Sequence, residues 1–131
     1  ARVAAAFINW GITTVEAIEN VRRMAPELPI IASGGLRDGL DIAKCIALGA
    51  TIGGMAGPFL KAADKSVDAV VETIHELARE IRIVLFATGC KDLAALRELP
   101  LIPSEMRRAL RLPLRLRSVS AQDALLPTNV D

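Results

Sequence analysis

Apolar residues recur at Val15, Ile18 and Val21, and Thr13 followed three positions later by Glu16 reads as a capping box, so a helix is predicted from about Thr14 to Met24. The segment before it, Val3 to Trp10, is apolar without a clear period. Pro26 and Pro29 end the helix, and Ile30 to Ala32 reads as a short strand. Asp38 can then cap a helix carrying Leu40, Ala43, Ile46 and Ala47 on one face, with Gly49 as its stop. Thr51 to Met55 reads as a second strand, and Pro58 opens a short helix through Ala63. From Val67 to Ala87 a wide stripe (Val67, Val70, Val71, Ile74, Leu77, Ala78, Ile81, Val84, Leu85) predicts a long helix packed on a sheet. Thr88-Gly89 closes it, and Asp92 to Arg97 forms one more short helix before Pro100.

Helices alternating with strands across short connections predict β-α-β units of a parallel sheet, an α/β fold. Only two strands are evident in 131 residues, whereas a complete (β/α)8 barrel takes about 250. Two parallel strands cannot cover themselves, so the fold expected is the C-terminal quarter to third of such a TIM barrel. Residues 1–99 would form the partial barrel, and residues 100–131, rich in Leu, Pro and Arg, a divergent and poorly ordered tail, with Ser118 to Asp131 disordered. The chain opens on Ala1-Arg2 with no initiator Met, as if cut from something longer.

Composition narrows the chemistry. Hydrophobic residues make up 52% of the chain and aromatics 3%, so the core is built from Ala, Val, Ile and Leu, as in a buried parallel sheet covered by helices. A formal net charge of +1 gives no basic stripe for nucleic acid. Cys45 and Cys90 form no C-x-x-C pair, which argues against redox or metal motifs and for a reduced cytoplasmic setting. No apolar run approaches the roughly 18 residues of a membrane span, and no signal-peptide pattern is present.

The strand at Ile30 runs straight into Ser33-Gly34-Gly35-Leu36-Arg37-Asp38-Gly39. Paired glycines let successive N–H groups approach an anion with no Cβ in the way, and the following helix would add its positive N-terminal dipole. One repeat later comes Gly53-Gly54-Met55-Ala56-Gly57-Pro58. Two neighbouring loops at one face can share a phosphate, as the loops after the last two strands of a (β/α)8 barrel do. Arg37 at a helix start is unfavourable to the dipole, which mildly favours an anion beside it.

Three segments carry a family resemblance: Phe7-Ile8-Asn9-Trp10-Gly11-Ile12-Thr13-Thr14, then Pro29 to Ala50 with its Ile-Ala-Ser-Gly-Gly-Leu-Arg core, then Gly54-Met55-Ala56-Gly57-Pro58-Phe59-Leu60-Lys61-Ala62-Ala63. Over about Phe7 to Leu99 the chain resembles the C-terminal part of type 2 isopentenyl diphosphate isomerase, a flavin-dependent (β/α)8 barrel. The resemblance implies strands seven and eight, with Gly34, Gly35, Leu36 and Arg37 approaching the FMN phosphate from one side and Ala56 and Gly57 from the other. It implies interconversion of isopentenyl and dimethylallyl diphosphate with reduced FMN. Mg²⁺ on the substrate diphosphate and NADPH as reductant are implied as well. The family's metal-binding Glu and substrate-binding His and Gln sit upstream, so no catalytic or metal residue is assigned here. Thr13 stands where the family usually has Pro, and the pattern is lost after about Ile102. An FMN barrel of the α-hydroxy-acid oxidase type is the alternative. Those enzymes show Asp-Gly-Gly at Ser33 and Gly-Arg-Pro at Ala56-Gly57-Pro58, and both differences favour the isomerase.

Other residues carry less. Trp10 would lie near the mouth of the site, though packing is the favoured role for such a residue. His75 falls off the apolar stripe and reads as a surface residue, Cys45 as a small apolar one, and Lys61 could assist phosphate or face water. The cluster Arg107 to Arg117, without interleaved aromatics, reads as a solvated stretch. The partners expected are a small-molecule diphosphate and either a second copy or the rest of the barrel, since an exposed parallel edge favours association.

Overall fold

Residues 2–7 and 10–102 are described by a computed structural model, in which eight elements follow one another. They are α1 (Arg2–Ala5), α2 (Thr14–Met24), β1 (Ile31–Ala32), α3 (Gly39–Ala47), β2 (Ile52–Gly53), α4 (Gly57–Ala63), α5 (Val67–Thr88) and α6 (Leu93–Arg97). From residue 103 onward the expected tail, including Arg107 to Arg117, lies outside the described residues.

Local chemistry accounts for the helix ends. At α2 the Thr13 side chain accepts from the Glu16 N–H while Glu16 reaches back to the Thr13 N–H, a complete capping box. Asp38, Ser66 and Asp92 cap α3, α5 and α6 by half of that arrangement, each accepting from the N–H three residues on. Gly49 ends α3 at φ 106°, with its N–H donating to Ile46 and that of Ala50 to Cys45, the paired bonds of a Schellman motif.

β1 and β2 pair in parallel with Ile31 opposite Ile52 and Ala32 opposite Gly53. The predicted connection β1-α3-β2 is therefore present, although each strand is only two residues long. Ala32 is buried and Gly53 lies so close to α3 that an added Cβ would sit 2.8 Å from the Ile42 side chain. The opposite face is open: Ile31 is 71% and Ile52 56% exposed.

α3 is the centre of the packing. One cluster joins Ile18 of α2, Ile30, Ala32, Leu36, Cys45 and Ala50. The other joins Ala43 and Ile46 of α3 to Leu96 of α6, with Val84 and Leu85 of α5 against them. The long helix departs from expectation here, because α5 packs chiefly on α3 and α4 rather than on the strands. Two-residue strands offer too little surface for a helix of 22 residues. None of its stripe is fully buried, and Val67, Val71 and Ile74 are exposed.

Candidate functional site

Parallel pairing sends the chain out of β1 and β2 at the same edge, and the register Ala32 to Gly53 sets Ser33 and Gly54 side by side as the first residues of the two following loops. The loops are joined there by the Gly54 N–H, which donates to the Ala32 carbonyl at 2.8 Å.

In the first loop Gly34 and Gly35 take φ of 102° and 78°, a succession of left-handed residues that glycine adopts without strain. A Cβ at Gly35 would meet nothing within 4 Å, so the space beside it is open. Among the described residues nothing accepts a hydrogen bond from the N–H of Gly34, Gly35 or Leu36. The Gly34 carbonyl, by contrast, accepts from the Thr14 hydroxyl at 2.8 Å. Leu36 turns its side chain into the core at 5% exposure, a burial that stabilises the loop by about 2 kcal/mol. Only the backbone of Leu36 is therefore offered to a ligand.

Arg37 contacts the buried Asp41 through Nε at 3.5 Å, and its N–H donates to the same carboxylate at 3.3 Å. Lys44 approaches the other oxygen at 3.5 Å, so Asp41 lies between two cations. The Arg37 side chain is 47% exposed, and Asp41 accounts for its place at a helix start without an anion. The start of α3 differs from expectation in a second way. Its N–H groups already face carboxylates: Asp38 accepts from Asp41, and Glu80 of α5 accepts from Gly39. The helix dipole is thus spent on the protein's own acids, and the anion-binding capacity of this loop rests on its free N–H groups.

The second loop reaches α4 through Ala56 and Gly57, both exposed. Ala56 provides no side-chain cap, Pro58 has no N–H, and a Cβ at Gly57 would meet nothing within 4 Å. Lys61 points into solvent on the same short helix. The six residues singled out from the sequence therefore fall on two adjacent loops at one sheet edge: Gly34, Gly35, Leu36 and Arg37 on the first, Ala56 and Gly57 on the second.

Elsewhere, Trp10 is 82% exposed and its ring stands edge-on to Phe7 with centroids 6.2 Å apart, so it is not a core packing residue. Ile8 and Asn9 lie outside the described residues. His75 is exposed, on a shallow groove of α5 with Asp68, Glu72 and Arg79. Cys45 is fully buried, and burial, with the nearby Asp41 charge, pushes its thiol above the ordinary value despite Lys44. Among the described residues no three His, Cys, Asp or Glu side chains gather as a metal site, and no helix is long and apolar enough to cross a membrane.

Thr14 and Asp41 were not singled out from the sequence, although both hold the first loop. The spacing of Arg37 and Asp41, four residues apart on a helix start, carried a readable signal. Thr14 lies 20 residues from Gly34, and no local pattern links them.

Residues 8–102 match the sequence profile of the FMN-dependent dehydrogenase family. The chain is 52% identical over 99 residues to an isopentenyl-diphosphate delta-isomerase of Xanthobacter autotrophicus, covering 76% of this chain and 29% of that protein. It is 52% identical over 96 residues to the enzyme of that name from a Nostoc strain, covering 73% and 27%. For that of Rickettsia bellii the identity is 44% over 97 residues, covering 74% and 28%. The chain thus spans under a third of the length of these relatives.

Proposed function

This chain belongs to the FMN-dependent dehydrogenase family, whose fold is a TIM barrel, and on that premise we propose that it supplies strands seven and eight of such a barrel and grips the phosphate of FMN. The backbone N–H groups of Gly34, Gly35 and Leu36 hold the phosphate from one side and those of Ala56 and Gly57 from the other. Arg37 adds charge through the part of its fork that Asp41 leaves free. The observation that carries this reading is the pair of glycine loops leaving one edge of a parallel pair in register, with consecutive left-handed glycines and open space where side chains would stand. Residues 1–99 form the barrel portion on this reading, and residues 100–131 a divergent tail.

The parent activity proposed is that of an isopentenyl diphosphate delta-isomerase, the printed name of the relatives that match at about half identity. Bound reduced FMN would supply the acid/base chemistry for interconverting isopentenyl and dimethylallyl diphosphate, with its phosphate held by the two loops named above. Mg²⁺ on the substrate diphosphate and NADPH as reductant complete the proposal, in a cytoplasmic setting. Ser33 and Ala56 favour the isomerase over an α-hydroxy-acid oxidase. The groups that would bind the diphosphate and its metal are not assigned to these 131 residues, so the chain alone is proposed to be inactive.

FMN titration followed by flavin fluorescence tests the cradle. Wild type is expected to show saturable binding that Gly35→Asp weakens at least tenfold, because a carboxylate about 5 Å from the phosphate costs roughly 3 kcal/mol at an effective dielectric of about 20. Equal affinity in the two proteins would sink the assignment.

A second reading, self-association, is favoured by the open face of the parallel pair, where Ile31 and Ile52 are exposed side by side. Burying both would stabilise a dimer by a few kcal/mol. Size-exclusion chromatography is expected to show oligomers whose population falls in Ile31→Lys, and a wild-type monomer at all concentrations would count against it.

A further inference from the structure

We propose that Thr14 is a positioning residue for the phosphate cradle: by holding the Gly34 carbonyl it aims the Gly35 N–H at the anion. The inference rests on the FMN-phosphate reading above and adds a residue outside both loops. Thr14 is the first residue of α2, and its hydroxyl donates to the Gly34 carbonyl at 2.8 Å across 20 residues of sequence. Among the described residues no peptide bond is cis, and in a trans peptide the C=O and N–H point in opposite directions. Fixing the Gly34 oxygen toward α2 therefore fixes the Gly35 N–H away from α2, where no described group accepts from it, and the space beside Gly35 is open.

Without that tie little would choose the direction of this peptide. Both flanking residues are glycine, for which left- and right-handed backbone are about equally accessible, so the peptide plane can turn over at small steric cost. α2 is a suitable anchor because its start is fixed independently: Thr13 and Glu16 form the capping box, and Ile18 is buried beneath it. The hydroxyl of Thr13 is engaged with Glu16, which leaves that of Thr14 for the loop. A Cβ on Gly34 would come 3.4 Å from the Thr14 oxygen, so the two residues are matched in space as well.

The test compares FMN with riboflavin, which lacks the phosphate, by fluorescence titration of wild type, Thr14→Val, Thr14→Ser and Thr13→Ala. Wild type is expected to prefer FMN. Thr14→Val keeps the branched shape and removes the donor, and should lower the FMN-to-riboflavin affinity ratio about fivefold, the worth of one neutral hydrogen bond. Thr14→Ser should restore it. Thr13→Ala, which loosens the start of α2 but keeps the Thr14 hydroxyl, should lower the thermal midpoint and lower the ratio less than Thr14→Val does, which separates positioning from support of the helix. The proposal is overturned if Thr14→Val keeps the wild-type ratio or weakens both flavins equally. A wild-type ratio of one would instead remove the phosphate cradle, and this proposal with it.

Discussion

Gly53 and Gly54 are adjacent, yet alanine at the two positions is expected to act in opposite directions. At Gly53 a Cβ would stand 2.8, 3.0 and 3.2 Å from three atoms of the Ile42 side chain, closer than packed carbons approach. Such overpacking costs about 1–3 kcal/mol, and the loss of glycine entropy in the unfolded chain returns about 0.4–1 kcal/mol. Gly53→Ala should therefore lose about 1–2 kcal/mol, a fall in Tm of roughly 5 to 15 °C for a domain of this size. At Gly54 the nearest atoms would be the Ala32 oxygen at 3.8 Å and an Ile31 methyl at 4.0 Å, ordinary contacts. Gly54→Ala should hold its stability or gain a few tenths of a kcal/mol. Urea unfolding of both variants, with Ile42→Ala in a double-mutant cycle, measures the effect. The coupling between Gly53→Ala and Ile42→Ala should be favourable by about 1–2 kcal/mol if the clash is the cause. Gly53→Ala as stable as wild type, or no coupling to Ile42, would refute the close seating of α3 on the sheet.

Two further outcomes follow from the surroundings of α3. Asp41→Ala removes two ion pairs whose cations are part exposed and the acceptor of the Arg37 N–H, and should cost about 1–3 kcal/mol by urea unfolding. Asp41→Asn, which keeps the shape and an acceptor but not the charge, should cost less, and equal losses would assign the whole effect to the charge. Cys45 should resist a thiol reagent in the native protein while the half-buried Cys90 reacts, both reacting in denaturant. Because the folded Cys45 thiol is raised above its ordinary value of about 9, the native state binds more protons than the unfolded state above that pH. Its contribution is therefore whole below pH 9 and is lost as pH rises through the raised value. Cys45→Ala should lose less stability than wild type as pH rises above 9, and parallel curves would contradict the shift.

What was legible in the sequence was local. Thr13 and Glu16 announced α2, Asp38 and Gly49 bracketed α3, and the glycine loops could be paired because one repeat separates them. What was not legible depended on neighbours distant along the chain. The stripe of α5 could not say that helices rather than strands would face it. Asp38 was readable as a cap, whereas the approach of Glu80 to Gly39 spans 41 residues, so its share in occupying the α3 dipole was hidden. Strand length was overestimated at β2 because Thr51 to Met55 suits extended backbone, while pairing with β1 reaches only Ile52 and Gly53.

The central claim is that two loops at one sheet edge share a phosphate, and amide chemical shifts of the ¹⁵N-labelled chain test it most directly. Addition of FMN, and more weakly of inorganic phosphate, should shift the Gly34 and Gly35 amides and the Gly57 amide with a single saturation curve. Shifts confined to one loop, or absent from both while amides elsewhere respond, would contradict it.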